Sequence, residues 1–276
     1  MKILFIGDIV GKLGRRTVAK VLPDLRNKEK LDLVIANAEN VTHGRGAKLE
    51  HLRELRAVGV DFFTSGDHIF YLDPWEPFSD PSVPVIRPAN LPAGTPGEGW
   101  GIFEAAGKKV AVISLLGWEF LGERLVEDNR NTWLKGEVRN PFQVAEELVR
   151  KIAGKKADLV LVDFHAELTS EKRALGFFLD GRATAVLGTH THVPTADATI
   201  LPQGTGYVSD LGMTGARDSV LGVEPAVIIA RLKEESAEPF VWMEKGPAVF
   251  RSVLIEIGKG NRVKRIERMD LEVSYL

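Results

Sequence analysis

Short apolar runs alternate with amphipathic stretches over the first two-thirds of the chain. The runs predict buried strands, and the apolar spacing between them predicts helices. The predicted strands are residues 3–6, 31–35, 60–64, 109–116, 159–164 and 183–187. Pro84 confines a further candidate, residues 83–86, to a sheet edge. The predicted helices are residues 15–27, 48–58, 140–153 and 170–179.

The last third of the chain has a different pattern, in which strands follow one another more directly. The predicted strands are residues 206–209, 226–232, 249–257 and 262–273, the last two joined by a turn at 258–261. Early strand–helix alternation followed by hairpins indicates an α/β fold with sheets covered by helices. Residues 118–139 are rich in Gly, Asn and charge and are predicted to form a long loop. Because no stretch is typical of a linker, we expect one domain over residues 1–276.

Polar side chains follow five of the predicted strands, at the point where each strand ends. They are Asp8 after the first strand, Glu39 and Asn40 after the second, Asp67 and His68 after the third, His165 after 159–164, and His190 and His192 after 183–187. Ligands bind at the carboxyl edge of open α/β sheets. Since neighbouring strands lie about 4.8 Å apart, these side chains can converge on one point.

Each of these residues also has an ordinary structural interpretation. A lone Asp after a strand is usually a turn residue or a helix cap, and a lone His such as His165 is more often a partly buried structural side chain. His190 and His192 are a stronger signal, because two side chains two positions apart on an extended segment point to the same face. The combination of histidines and carboxylates at strand ends predicts a metal site. His43, in a Gly-rich loop, and His51, within a helix, are expected at the surface.

Composition narrows the chemistry of the site. The chain has no cysteine, so any metal is held by nitrogen and oxygen, a ligand set that suits manganese, iron, zinc or nickel. A net charge of −2 argues against stable binding to a long nucleic acid, but a small phosphorylated substrate remains compatible. No stretch approaches the roughly 20 apolar residues of a membrane span. We therefore expect a cytoplasmic protein that does not bind membranes.

Two catalytic motifs are excluded. Residues 7–12 are similar to a phosphate-binding P-loop but are one residue short between the glycines, and Leu13 stands where Ser or Thr is needed. There is no Gly-x-Ser-x-Gly motif. Lys12 and Arg15 lead into the first predicted helix, whose N-terminus is a candidate anion site. These two side chains either orient a substrate phosphate or belong to a solvated basic turn.

Several long blocks of the sequence resemble the calcineurin-like metallophosphoesterases, and more closely the YmdB-like branch of bacterial cyclic-nucleotide phosphodiesterases. The resemblance covers nearly the whole chain. The blocks are FIGDIVGKLGR at 5–15, NAEN at 37–40, GDH at 66–68, RPANLPAGTPGEG at 87–99, DFHAELTSEK at 163–172, LDGRATAVLGTHTHVPTAD at 179–197, ILPQGTGYVSDLGMTG at 200–215 and DSVLG at 218–222.

The resemblance implies a four-layer α-β-β-α sandwich of two mixed sheets, with a dinuclear metal site at the edge where the strands end. The ligands it implies are Asp8, Glu39, Asn40 and His192 for the first metal, and Asp67, His165 and His190 for the second, with Glu39 bridging both. His68 corresponds to the catalytic acid near the leaving group. The family suggests iron or manganese as the metals.

Asp67 departs from the family, which usually has Asn at this position in a Gly-Asn-His motif. A carboxylate coordinates a metal at least as readily as an amide, so the ligand is retained. Its additional negative charge is expected to hold the cations more tightly and to raise the pKa of a bridging water.

Two metals about 3.5–4 Å apart can clamp a phosphoryl group and activate a bridging hydroxide for in-line attack. The resemblance therefore implies a phosphodiesterase acting on small phosphodiesters, in particular 2′,3′-cyclic or 3′,5′-cyclic nucleotides, and a homo-oligomeric assembly. Two other interpretations stay open. One is a phosphomonoesterase with the same metal centre, and the other is a regulatory protein that senses a nucleotide or a metal with little turnover.

Overall fold

Five strands form the first mixed sheet. The computed structural model describes residues 1–122, 125 and 136–275. The strands of this sheet, in spatial order, are β14 (Val263–Arg268), β13 (Ser252–Ile257), β1 (Lys2–Ile6), β3 (Leu33–Asn37) and β4 (Phe62–Thr64). The strands β1, β3 and β4 run parallel, and β13 and β14 pair antiparallel as the predicted hairpin. The first three predicted strands are confirmed.

A second mixed sheet contains six strands. In spatial order they are β5 (Trp100–Ala105), β6 (Lys108–Leu116), β7 (Leu159–His165), β8 (Ala185–Thr189), β10 (Gly206–Val208) and β9 (Thr199–Ile200). The four central strands are parallel, and the two edge strands are antiparallel to them. The four central strands match sequence predictions.

The two sheets pack face to face, because alternate side chains of each strand point to opposite faces. Ile3, Phe5 and Ile35 of the first sheet share one buried apolar cluster with Val112 and Leu161 of the second. Burying a side chain of this size contributes roughly 1.5–3 kcal/mol, so this interface is a principal source of stability.

Helices cover the outer face of each sheet. They are α1 (Gly11–Glu29) and α2 (Leu49–Ala57) on the first sheet, and α3 (Pro141–Gly154) and α4 (Thr169–Phe178) on the second. The side chain of Asn140 accepts hydrogen bonds from the backbone N–H groups of Phe142 and Gln143, which confirms it as the N-cap of α3. The four-layer α-β-β-α arrangement is confirmed.

A third, four-stranded sheet lies beside this sandwich and was not predicted. Its order is β15 (Leu271–Val273), β12 (Ala248–Phe250), β11 (Met213–Ala216) and β2 (Asp8–Ile9). The single strand predicted at 249–257 is therefore wrong, because the chain leaves β12 at Arg251 before entering β13. The backbone of Arg251 bonds instead to Gly7 and to the Thr214 hydroxyl, which carries the chain from one sheet to the other.

The strand predicted at 226–232 is also wrong, since Pro225–Leu232 forms helix α5. Its β-branched and apolar residues are typical of a buried strand. However, Pro225 occupies the first helical turn, where its fixed φ favours a helix. No residue of α5 is buried, and Leu232 is 80% exposed. The helix therefore lies at the surface.

Two weaker predictions are also corrected or left open. The candidate strand at 83–86 makes only isolated bridges, from Val85 to Phe63 and from Ile86 to Glu98. Of the loop predicted at 118–139, Trp118–Gly122 forms a π-helical turn, while residues 123–124 and 126–135 lie outside the described residues. Within the described ranges, none of the helices has the length and apolarity needed to cross a membrane.

Candidate metal centre

The predicted site residues meet where the strands of both sandwich sheets end. Asp8 opens β2, one residue after β1. From the first sheet, Glu39 and Asn40 follow β3 and Asp67 follows β4. From the second sheet come His165, the last residue of β7, and the two histidines that follow β8, which are His190 and His192. The site therefore depends on the packing of the two sheets against each other.

His165 is at the centre of the cluster. Its Nε2 atom lies 3.2 Å from Glu39 Oε1 and 3.3 Å from Asp67 Oδ1. The same atom is 3.1 Å from His190 Nδ1. The side chain of His165 is fully buried, so these polar groups converge in a place with little access to water.

Two groups of side chains have ligand atoms within 4.8 Å of one another. Asp67, His165 and His190 form one, which is the set expected for the second metal. The other contains Asp8, Glu39 and His165. It shares two residues with the set expected for the first metal, but has His165 where His192 was expected.

His192 and Asn40 lie beside this second group. His192 Nε2 is 3.8 Å from Asp8 Oδ1 and 3.3 Å from the amide nitrogen of Asn40. The amide oxygen of Asn40 accepts from His68 Nδ1 at 2.9 Å. Coordination through Asn40 therefore requires its amide to rotate so that the oxygen faces the cluster.

The unpaired atoms of the cluster fit bound cations. Asp8 Oδ1, Asp67 Oδ1 and His192 Nδ1 are buried without a hydrogen-bond partner, and an unsatisfied buried polar atom is costly. Burial raises the pKa of Asp8 to about 8, an effect that nearby His165 only partly opposes. Cations among these carboxylates would remove the penalty of holding several acids together, so the donor set fits a metal centre.

The histidine protonation states agree with this interpretation. Burial, reinforced by the positive charge of His165, lowers the pKa of His190 to about 4, and burial also lowers the pKa of His192 to about 4. Both rings are therefore neutral near pH 7, as coordination requires. Burial lowers the pKa of His165, but Glu39 and Asp67 outweigh burial and raise it well above 6.5. A bound cation would replace the positive charge that His165 supplies.

A buried hydrogen-bond relay sets the orientation of the His165 ring. The Thr189 hydroxyl donates to Asp163 Oδ1 at 2.7 Å and lies 2.9 Å from His165 Nδ1. Thr189 therefore accepts from His165 Nδ1–H, which leaves Nε2 directed at the cluster. Asp163 also accepts from Asn37 and Thr64 of the first sheet, so the relay joins the two sheets directly behind the site.

The reasoning that linked His190 and His192 was wrong, although both side chains reach the site. The two residues have φ values of 101° and 64°, so the segment is not extended and the rings approach different groups. Buried Asp210 holds the loop by accepting from Thr191 N at 3.1 Å and from Lys172 Nζ at 2.7 Å. The sequence identified two side chains that the structure brings to the cluster, but it did not reveal the turn that orients them.

Gly66 allows the two sheets to approach at His165. A Cβ atom added to Gly66 would lie 2.2 Å from His165 Cδ2, far inside van der Waals contact. Any side chain at this position would displace the central histidine. The glycine of the Gly66-Asp67-His68 segment is therefore required by packing.

His68 lies at the rim of the cluster and faces the adjoining cavity. Its backbone N–H donates to Glu39 Oε2 at 2.9 Å, and its Nδ1 is engaged by Asn40, which leaves Nε2 as the ring nitrogen free to carry a transferable proton. Burial lowers the pKa of His68, but Asp67 and Glu39 outweigh burial and raise it above 6.5. The raised pKa favours the protonated ring, which is the form that an acid catalyst needs.

The structure does not support phosphate positioning by Lys12 or Arg15. The guanidinium of Arg15 donates to Glu54 Oε2 at 2.8 Å and to the Val41 carbonyl at 2.5 Å, so it braces α1 against neighbouring segments. Lys12 is exposed and lies 3.5 Å from Glu244. Neither side chain lines the cavity beside the candidate metal ligands.

The two histidines outside the cluster, His43 and His51, differ in their exposure to solvent. His43 is exposed as expected. His51 is only 17% exposed, and its Nδ1 lies 2.7 Å from the Thr42 hydroxyl, so the prediction that it lies at the surface is wrong. Neither belongs to the metal cluster.

A cavity of about 840 Å³ opens beside the cluster and is lined by residues that sequence reasoning missed. Glu167 Oε2 lies 3.0 Å from His190 Nε2, a contact that orients the ring of a proposed ligand. Its position two residues after His165 was the available signal. Arg45 and several aromatic side chains form another part of the wall, and no spacing in the sequence connects them.

Replacing Asp67 with Asn should weaken metal binding. Burial raises the pKa of Asp67, but the positive charges of His68 and His165 outweigh it and lower the pKa to about 2, so the side chain is ionised. Removing one negative charge from the ligand set should reduce affinity about tenfold, or about 1.4 kcal/mol. Calorimetric titration of Mn²⁺ into metal-free protein measures this. Asp73→Asn, an equal charge change on an exposed loop, is the control. Unchanged affinity in Asp67→Asn would mean that Asp67 does not coordinate.

Comparison with known proteins agrees with this geometry. The family described as YmdB-like protein matches residues 4–269. The chain is 42% identical to the 2′,3′-cyclic-nucleotide 2′-phosphodiesterase of Bacillus subtilis (strain 168), over all of this chain and 99% of the relative. It is also similar to a crystal structure described as a novel phosphatase from Mycoplasma pneumoniae, with 35% identity, a TM-score of 0.86, and coverage of 99% of this chain and 94% of the other.

A more distant likeness concerns the fold alone. The calcineurin-like phosphoesterase YfkN from Bacillus subtilis superimposes with a TM-score of 0.59 at 12% identity, covering 98% of this chain and 90% of the other. The sandwich of two mixed sheets is thus the calcineurin-like phosphoesterase fold. From the full-length family match and the curated relative, the chain belongs to the YmdB-like protein family.

Proposed function

We propose that this protein is a metal-dependent phosphodiesterase that hydrolyses small phosphodiesters, with 2′,3′-cyclic or 3′,5′-cyclic nucleotides as its substrates. The observation that carries the proposal is the buried cluster of carboxylates and imidazoles that opens on a cavity large enough for a small molecule. The curated relative, named as a phosphodiesterase acting on 2′,3′-cyclic nucleotides, supports the choice of substrate.

The proposed ligands hold two divalent cations, with iron or manganese favoured over zinc or nickel by the family. They are Asp8, Glu39, Asn40, Asp67, His165, His190 and His192. When bound, the cations supply Lewis-acid activation of water and neutralise charge on the phosphoryl oxygens. Two buried acids keep the histidine donors in place. Asp163 orients the His165 ring through Thr189, and Asp210 holds the loop that carries His190 and His192.

His68 is proposed as the general acid. Its Nδ1 bonds to the Asn40 oxygen, a bond that is lost if the Asn40 amide rotates to coordinate a metal. The backbone N–H of His68 also donates to Glu39 Oε2 and the ring lines the cavity, so Nε2 is the proposed proton donor. From there His68 donates a proton to the leaving oxygen as the phosphorus–oxygen bond breaks. The carboxylates of Asp67 and Glu39 favour the protonated form of the ring.

A substrate panel tests the proposal. Protein loaded with Mn²⁺ or Fe²⁺ should hydrolyse 2′,3′-cyclic AMP or 3′,5′-cyclic AMP and leave AMP intact. Turnover of AMP without turnover of either diester would favour a phosphomonoesterase, which is the activity suggested by the name of the Mycoplasma pneumoniae structure. Tight nucleotide binding without turnover of any ester would favour a sensing protein.

A further inference from the structure

The cavity wall beyond His68 is formed by aromatic rings. Tyr71, Phe240 and Trp242 all line the cavity that contains the proposed metal ligands. Phe240 and Trp242 pack edge to face with ring centroids 6.2 Å apart. Tyr71 is 54% exposed, so its ring is accessible to a ligand in the cavity. We call Arg45 and these three rings the aromatic wall.

Arg45 contacts two of the three rings of the aromatic wall. Its guanidinium carbon lies 5.7 Å from the Tyr71 ring centroid and 5.4 Å from that of Phe240. Arg45 lines the same cavity as His68 and the proposed ligands Asp67 and His190. The wall is therefore adjacent to the place where a substrate phosphate would bind.

The charge of Arg45 has no acidic partner in the described part of the chain, since no carboxylate there lies within 4.0 Å of its guanidinium. It is the single lysine or arginine among the described residues that line this cavity. A planar cation beside aromatic rings can bind an anionic group while an exposed ring stacks on a flat ligand. This combination suits an aromatic ligand joined to an anionic group.

The segment that carries Phe240 and Trp242 is held in position by close backbone packing. Gly44 has a φ of 77°, and a Cβ atom added to it would lie 2.2 Å from Trp242 Cδ2. The Trp242 ring thus lies directly against the backbone beside Arg45. This packing fixes the Trp242 part of the aromatic wall before any ligand binds.

We propose that the aromatic wall binds the nucleobase of the substrate by stacking, and so selects nucleoside phosphodiesters over phosphodiesters that lack a base. This inference rests on the proposed function, because it assigns the specificity of the same site. Stacking on protein rings tolerates any base, since every base has a π-face. The wall therefore distinguishes the presence of a base more strongly than its identity.

The kinetic test compares 2′,3′-cyclic AMP with glycerol 1,2-cyclic phosphate, which has the same five-membered cyclic diester without a base. In Phe240→Ala the KM for 2′,3′-cyclic AMP should rise roughly tenfold with kcat nearly unchanged. The KM for glycerol 1,2-cyclic phosphate should not change. Tyr71→Ala should act in the same direction. Val241→Ala, an exposed neighbour that does not line the cavity, is the matched control. Equal changes for both substrates would overturn the inference while leaving the phosphodiesterase activity in place.

A binding test separates this inference from the proposed function. Calorimetry with AMP and with ribose 5-phosphate requires no turnover of a diester. We expect AMP to bind at least about tenfold more tightly, and Phe240→Ala to remove most of that difference. If the protein hydrolyses no diester, the proposed function fails and this measurement alone decides the role of the wall. Equal affinity for AMP and ribose 5-phosphate would overturn it.

Discussion

Stripping the metals from the purified protein should lower kcat/KM for a phosphodiester by about three orders of magnitude. Lewis-acid stabilisation of a phosphoryl transition state is worth several kcal/mol, and each 1.36 kcal/mol corresponds to a factor of ten. The reason for so large an effect is the buried cluster around His165, whose unpaired atoms fit cations. Mn²⁺ or Fe²⁺ should restore the activity.

Substituting a single proposed metal ligand should also show that activity depends on bound metal. His190→Ala should lower metal content and activity together, because its ring belongs to the Asp67 and His165 group. His43→Ala is the matched control, since His43 is exposed and outside the cluster. Elemental analysis of protein purified without chelator gives the metal content per chain. Full activity in thoroughly demetallated protein would contradict the two-metal proposal.

Replacing His68 with Ala should reduce turnover of a cyclic nucleotide by about 10²–10⁴-fold, the usual contribution of a general acid. The sugar oxygen that leaves from a cyclic nucleotide is a poor leaving group and needs a proton. A p-nitrophenyl diester has a stable leaving phenolate, so its loss should be below about tenfold. Paired assays of one variant on both substrates provide the measurement.

Metal content distinguishes acid catalysis from a structural defect in this variant. His68 contacts Glu39 through its backbone N–H, a bond that a change of side chain leaves in place. The His68→Ala protein should therefore retain most of its metal. Equal losses of activity on the two diesters, or loss of metal along with activity, would argue against the acid role.

Much of the fold followed from local pattern, because its parallel strands are short apolar runs buried on both faces. The strand at 159–164 and the helix that begins after Asn140 are of this kind. The assignment at 226–232 failed because β-branched residues are also compatible with a surface helix, and Pro225 in the first turn favours the helix. The break at Arg251 depended on hydrogen bonds to Gly7 and Thr214, which are distant in the sequence.

The residues that converge at the candidate site were predicted from the same strand pattern, but the side chains that orient them were not. Residues such as Asp8 and His165 follow strands, so topology alone brings them to one edge. The side chains that orient them come from elsewhere, as with Asp163 behind His165 and Asp210 beneath the histidine loop. Arg15 was left open by the sequence, because its position near a helix N-terminus is compatible with an anion site, whereas in the structure its side chain is already paired.

The loop that carries His190 and His192 has a left-handed backbone at both residues. This protein therefore has a lower conformational stability in order to keep these side chains at the site. A non-glycine residue in that region costs of order 1–3 kcal/mol, and His190 and His192 are both in it. Glycine at either position would relieve the strain and would also remove an imidazole from the cluster. Selection for thermal tolerance and selection for activity therefore act in opposite directions on these two residues. A more heat-resistant member of this family would have to gain its stability in the sheets and helices, with the loop left strained.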